Sequence, residues 1–278
     1  MIRTWIAEVE PLMESAVYER YFEALPTWRQ EKADRLVKME DKALSVGAWT
    51  LYERANAKYP KLQEFNLSHS GKYALCSFVC DVDCKVGCDV QENRNKYGER
   101  VSEAEYDVQE MKADCDMQSS KSEYDMRETK VGCDIQEIKK IGEAFAKRFF
   151  TKSENDYVSW GRMQGKAVAF SEGLAARSEN DFVSGSKMQR ERLERFYRLW
   201  VLKESFAKAT KEGLQIGLSN FEVQFDAMHR PVLFKQPQRI QEQYYFKEYS
   251  LEDKEYKVAV CASINRFAKE IEIVKLED

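Results

Sequence analysis

The chain has 278 residues, 43% of them hydrophobic and 33% charged, with a net charge of −4. That composition supplies a core for one large domain or two smaller ones, and the acidic balance leaves no electrostatic footprint for nucleic acid or an anionic membrane surface. The opening MIRTWIAEVEPLMES carries acids where a signal peptide has its apolar run, and no apolar stretch approaches the length of a membrane span, so the sequence reads as a cytoplasmic protein with no membrane partner.

Residues 1–24 read as a strand followed by a helical stretch, and 25–59 as a helix pair, with Pro26 suited to a first helical turn. Leu36, Val37, Leu44, Ala48 and Leu51 carry helical apolar spacing. Arg29, Lys32 and Arg35 recur three apart and share a helix face, which fits either a solvated basic face or an anion-binding one. In EFNLSHSGKYALCSFV, the residues Asn66, Ser68, His69, Ser70 and Gly71 read as a polar turn between two strand-like runs. That turn offers hydroxyl, imidazole and backbone donors to a phosphate, and equally fits an ordinary side-chain-bonded turn. Cys76, Cys80, Cys84 and Cys88 recur every fourth residue, but the even spacing lacks the spacer of a structural zinc site, so they read as small buried side chains; a zinc module is the competing reading. KVGCDVQE follows, with Asp89 and Gln91 on one face of a strand end, two oxygen donors of the kind hard cations take.

The sequence then repeats itself. KVGCDVQE at 85–92 returns as KVGCDIQE at 130–137, and KSENDYVSWGRMQ at 152–164 returns as RSENDFVSGSKMQ at 177–189. Two short, unequal repeats make no solenoid; they read as local duplications that inserted polar surface chain. A helix is expected over 138–154, another over 188–211, and then GLQIGLSNFEVQFD, RPVLFK, QYYFKEYS and YKVAVCAS alternate like antiparallel strands. Both halves are therefore α+β.

In FYRLWVLKESFAK (196–208), Phe196, Leu199, Trp200, Leu202 and Phe206 form a broad apolar stripe, and Glu204 and Lys208 are i,i+4 neighbours beside it. A carboxylate flanked by Lys203 and Lys208 near buried surface suits a site that holds a metal and a phosphate together; the same pattern also fits an amphipathic helix with one Glu–Lys pair.

FNLSHSG (65–71), VGCDVQ (86–91), AKRFFTKSE (146–154), FYRLWVLKESFAK (196–208), GLQIGLSNFEV (213–223) and YKVAVCA (256–262), in that order, resemble the 4′-phosphopantetheinyl transferase superfamily. The likeness is to its larger pseudo-dimeric members, which activate peptide and polyketide synthases. The resemblance implies two similar α+β subdomains related by a pseudo-twofold, each with a small antiparallel sheet and packed helices. These would span 1–137, with a duplicated insert at about 92–133, and 138–278, with a duplicated insert at about 153–177. It implies a monomer that binds coenzyme A in its central cleft and moves the phosphopantetheine arm to a serine of an apo acyl or peptidyl carrier protein, releasing adenosine 3′,5′-bisphosphate. Asp89, Gln91 and Glu204 would hold Mg²⁺, with Asp134 and Gln136 as the alternative copy. Glu204 would also serve the attacking serine as base, Lys203 and Lys208 would neutralise the pyrophosphate, and Ser68, His69, Arg29 and Lys32 would contact the nucleotide end. The first copy, Asp89, is favoured because its hairpin with YALCSFV is local. The chain departs from the family in having Gln91 where Glu is frequent, in a shortened segment before the Ser-His-Ser-Gly run, and in carrying the metal strand twice. Gln91 and the duplications motivate the alternative of a non-catalytic member that binds coenzyme A or a carrier domain.

Overall fold

The computed structural model describes residues 1–59, 62–80, 129–141, 148–159 and 179–276, with the side chains of 179–186 and 214 outside the description. Strand β1 (Ile2–Glu8) leads through a 3-10 turn at Glu10–Met13 to helices α1 (Ser15–Glu23), α2 (Thr27–Asp34) and α3 (Met39–Lys58), then to the hairpin β2 (Glu64–Ser70) and β3 (Tyr73–Val79). After β4 (Val131–Glu137) come helix α4 (152–159), the long helix α5 (Glu179–Ala209), β5 (Glu222–Phe225), β6 (Pro231–Lys235), β7 (Tyr245–Tyr249), β8 (Tyr256–Ala262) and the short β9 (Glu272–Ile273).

The strands form sheets of order β2-β3-β1-β9 and β4-β8-β7, with β5-β6 as a separate hairpin. The order β2-β3-β1 of the first sheet recurs as β7-β8-β4 in the second, and every one of those pairings is antiparallel. In each half the long helix, α3 or α5, falls between the leading strand and the hairpin. A shared strand order and helix placement is what a pseudo-twofold pair of α+β subdomains requires. The sheets differ at one edge, where β9 adds parallel to β1 and carries the C-terminal end of the chain back to the first subdomain. The division expected at 137 falls at the end of β4, whose sheet partners β8 and β7 both follow it.

Each half has its own core. Trp5, Leu12, Leu44, Leu51 and Phe78 pack in the first, and Phe196, Leu199, Leu202, Phe206 and Phe221 in the second. The apolar stripe read on α5 is thus the face that meets the second sheet, with Leu199, Leu202 and Phe206 fully buried. Phe206 lies against Phe221 and edge-on to Tyr244. Phe206→Ala is expected to cost about 3–5 kcal/mol, read as a fall in the denaturant midpoint.

Several sequence expectations shift. Val37, placed on a buried helix face, lies in the α2–α3 connection and is 97% exposed. The polar turn expected at 66–71 is mostly strand: β2 runs to Ser70, and only Gly71 and Lys72 turn. Gly71 has φ +55°, and a Cβ there would stand 2.1 Å from the Tyr256 hydroxyl, so the turn needs glycine twice over. Residues 138–141 are not helical. The second insert was expected at the surface, but its described part is helix α4, which buries Val158 and Glu154. Cys76 and Cys80 are buried; Cys84 and Cys88 lie outside the described residues. No helix among the described residues is long and apolar enough to cross a membrane.

Candidate active site

Side chains alternate along a strand, and β2 uses both of its faces. Asn66, Ser68 and Ser70 point at the edge of β4. The amides of Cys133, Ile135 and Glu137 donate to Asn66 Oδ1 (3.0 Å), Ser68 Oγ (3.4 Å) and Ser70 Oγ (3.1 Å) respectively. Every second residue of one strand thus accepts from every second amide of the other, and the β4 edge is satisfied by side chains instead of another backbone. The Asn-x-Ser-x-Ser pattern is a seam between the two sheets. Its period of two was visible in the sequence and would have marked it as strand.

His69 lies on the opposite face of β2, with Phe65 and Leu67. Its side chain keeps contact with solvent, yet atoms crowded about the ring lower its pKa below 6.5, and the charges of Lys208 and Lys32 push the same way against Asp41 and Asp134. His69 is therefore neutral at pH 7. Lys32 is exposed on α2 and near enough to be felt at His69. Arg29, from the same helix, is buried: its guanidinium donates to the Ser45 carbonyl at 3.1 Å and lies 4.6 Å from the Trp49 ring centroid.

The central crossing is between β4 and α5. Gly132, Asp134 and Gln136 face the helix. A Cβ on Gly132 would lie 2.2 Å from the Ser205 carbonyl oxygen and 2.3 Å from the Ala209 nitrogen, so strand and helix backbones touch at that glycine. Two residues on, Asp134 is 2% exposed. Its Oδ1 accepts from Lys208 Nζ at 2.7 Å and from Ser68 Oγ at 2.8 Å, and its Oδ2 accepts from Gln136 Nε2 at 3.2 Å. Lys208 also donates to Ser68 Oγ and to the Cys133 carbonyl, both at 3.1 Å, and Asp134 raises its pKa against the effect of burial.

One turn earlier on α5, Glu204 is half-buried. Burial, and then the charge of Asp134, raise its pKa, with Lys208 opposing. The structure therefore gathers Ser68, Asp134, Gln136, Glu204 and Lys208 at one place. Asp89 and Gln91 lie outside the described residues.

Lys203 goes elsewhere. It has no exposed surface, and its ammonium donates to both oxygens of Glu154 at 2.6 and 2.7 Å and to the Phe221 carbonyl at 2.8 Å. It shares no partner with Lys208. Glu154 was not singled out from the sequence; an acid inside a duplicated polar segment gives no signal of burial.

Among the described residues, no group of three or more His, Cys, Asp and Glu side chains is placed to hold a metal. Glu204 lies near enough to Asp134 for that charge to add to burial in raising its pKa, and these two carboxylates, with the Gln136 amide beside Asp134, nevertheless fit Mg²⁺, which takes one or two carboxylates and leaves its other positions to water and substrate phosphates. Around that pair stand one cation, Lys208, and the Ser68 hydroxyl. Chemically, the crossing can neutralise a diphosphate and accept a proton at Glu204.

Residues 130–261 match the family model described as the 4′-phosphopantetheinyl transferase superfamily. Over 216 residues the chain is 32% identical to the 4′-phosphopantetheinyl transferase Sfp of Bacillus subtilis (strain 168), an alignment covering 77% of this chain and 61% of that protein. The chain thus spans less than two thirds of that relative's length. Among solved structures it is similar to the holo-[acyl-carrier-protein] synthase (AcpS) of Thermotoga maritima, at 20% identity over 48% of this chain and 61% of that one, with a TM-score of 0.31. It is also similar to the Chronobacterium ammoniagenes ACPS-CoA complex, at 16% identity over 48% and 95% of the two chains and the same TM-score, 0.31. TM-scores that low establish no shared fold. The sequence matches stand without them: the family model begins at the residue before β4 and ends in β8, so it encloses the Gly132–Asp134 strand and the Glu204–Lys208 turn of α5. Residues 130–261, just under half of the chain, are thus similar to the 4′-phosphopantetheinyl transferase superfamily, and the longer alignment places the chain's similarity with the larger Sfp type.

Proposed function

We propose that this chain transfers the 4′-phosphopantetheine arm of coenzyme A to a serine hydroxyl of an apo acyl or peptidyl carrier protein, with Mg²⁺, as a monomer in the cytoplasm. The observation that carries the reading is the pairing of Asp134 and Glu204 across the β4–α5 crossing, with Lys208 bonded to one of them. Similarity to the family supplies the reaction class, and the crossing has the groups that reaction needs.

In this reading Asp134 and Glu204 would hold Mg²⁺, with Gln136 beside them; when bound, the ion supplies positive charge at the pyrophosphate. Lys208 adds a second positive charge on the leaving side. Phosphoryl transfer asks for positioning and charge neutralisation more than for a covalent nucleophile. The serine oxygen attacks the phosphorus that bears the pantetheine arm, the P–O bond to the neighbouring phosphate breaks, and adenosine 3′,5′-bisphosphate leaves. Glu204, its proton affinity raised by burial, accepts the serine proton. Lys32 on α2 and the neutral His69 on the other face of β2, near enough for the lysine's charge to be felt at the ring, would meet the nucleotide end.

Incubating an apo carrier protein with this chain, coenzyme A and Mg²⁺, followed by intact-mass analysis, tests the reading. A gain of one phosphopantetheine arm is expected. Glu204→Ala should lower the rate about 10²–10³-fold, and a chelator should abolish it. No gain on several carriers, with coenzyme A still bound, would place the chain among non-catalytic binders of the same fold.

A further inference from the structure

The ion pair inside the second core is not used by the chemistry above. Lys203 and Glu154 expose 0% and 1% of their side chains. Glu154 is saturated: besides Lys203, its Oε1 accepts from the Val223 amide at 2.9 Å and its Oε2 from the Thr151 amide at 2.8 Å. Lys203 is saturated too, by both Glu154 oxygens and the Phe221 carbonyl, and its ammonium lies 4.3 Å from the Phe221 ring centroid. The pair therefore ties α4, the start of β5 and α5 to a single point.

A buried ion pair is weak evidence for stability, because well-packed apolar residues of the same size often do as well; its attested use is to fix one arrangement among several. The arrangement fixed here matters for a specific reason. Lys203 and Glu204 are consecutive, and consecutive helical residues point about 100° apart. Anchoring Lys203 in the core sets the direction in which Glu204 leaves the helix. Lys208 is held on the β4 side by Asp134, Ser68 and the Cys133 carbonyl. Glu204 is thus carried on a turn of α5 that is pinned to both flanking structures.

We propose that Glu154 is a positioning residue: through Lys203 it fixes the turn of α5 that presents Glu204 to Asp134. The inference rests on the transferase reading for its activity readout. It also assigns roles to the duplicated segment. Glu154 of KSENDYV has its counterpart in Glu179 of RSENDFV, and Glu179 is the first residue of α5. It lies 24 residues before Lys203 on one helix, about 36 Å along the axis. The second copy therefore cannot make the contact, and the first copy alone carries it.

The test compares Glu154→Gln, Lys203→Met, the apolar double variant Glu154→Leu/Lys203→Met, and Glu179→Gln, with rates corrected for the folded fraction measured by circular dichroism. Glu154→Gln and Lys203→Met are expected to lose at least about tenfold in kcat while the KM values for coenzyme A and carrier stay within about twofold; Glu179→Gln should match the parent. Amide hydrogen exchange over 200–208 should speed up in Glu154→Gln while exchange in α3 does not change. The double variant should recover the melting temperature but not kcat. Recovery of both, or a folded Glu154→Gln with kcat within about twofold of the parent, would overturn the proposal. If the parent itself transfers nothing, the transferase reading fails separately, and unchanged exchange over 200–208 in Glu154→Gln then overturns this one.

Discussion

Asp134→Asn is expected to lower transfer about 10²–10³-fold, whereas Asp89→Asn leaves it within about twofold. The two strand copies differ between Val86–Glu92 and Val131–Glu137 only at Val90 and Ile135, so side-chain chemistry alone does not separate them. Position does. Asp134 accepts from Lys208, Ser68 and Gln136, and its strand donates three amides to the seam along β2. Asparagine keeps the shape and removes the charge, which takes away half of the carboxylate pair and the counter-ion of Lys208. The stability cost should be modest, about 1–3 kcal/mol, since the Lys208 side chain retains 27% exposure and can turn to water. Activity should therefore fall far more than the melting temperature. Intact-mass rates for both variants, beside their melting curves, check this; loss with Asp89→Asn and retention with Asp134→Asn would assign the site to the first copy.

Much of this architecture is legible in the sequence because it follows from periodicity. The stripe on α5 marks its buried face directly, and the nearly continuous apolar runs of β3 and β8 mark strands buried on both faces. The Glu204–Lys208 spacing marks one helix face, and the resemblance gives those residues a role. What the sequence hides is the direction of side chains whose polarity is the same either way. Ser68 and His69 are neighbours in a polar run, yet one meets Asp134 and the other faces α3. Lys203 and Lys208 are both lysines on one short segment, yet one is taken into the core by Glu154 and the other meets Asp134. Arg29 and Lys32 share a helix face, and Trp49 with the Ser45 carbonyl holds only the first of them in the interior. In each case the deciding partner is far away in sequence, which local pattern cannot supply. Duplication adds a second difficulty, since two equal strands offer the same local signals to one position in the fold.

Gly132→Ala joins the fold to the site, and its expected effect is large on both. The added methyl would stand 2.2 Å from the Ser205 oxygen, 2.3 Å from the Ala209 nitrogen and 2.9 Å from the Lys208 carbonyl carbon. All three are backbone atoms of α5, so no rotamer change relieves the contact; strand and helix must move apart. Overpacking of this kind costs about 3 kcal/mol. The displacement falls on the stretch of helix that carries Glu204 and Lys208, while Asp134 stays with β4, which its pairing with β8 and the β2 seam hold in place. Opening the crossing therefore lengthens the Asp134–Lys208 contact and separates the two carboxylates, so the folded fraction that survives should still be slow. A melting temperature lowered by several degrees, together with a rate per folded molecule reduced at least about tenfold, is the expected outcome; a folded variant with the parent's rate would show that the close approach serves packing alone. The glycine two residues before the aspartate is thus required by the same contact that brings the carboxylate to the helix, and this explains physically why Gly-x-Asp occurs here as a unit.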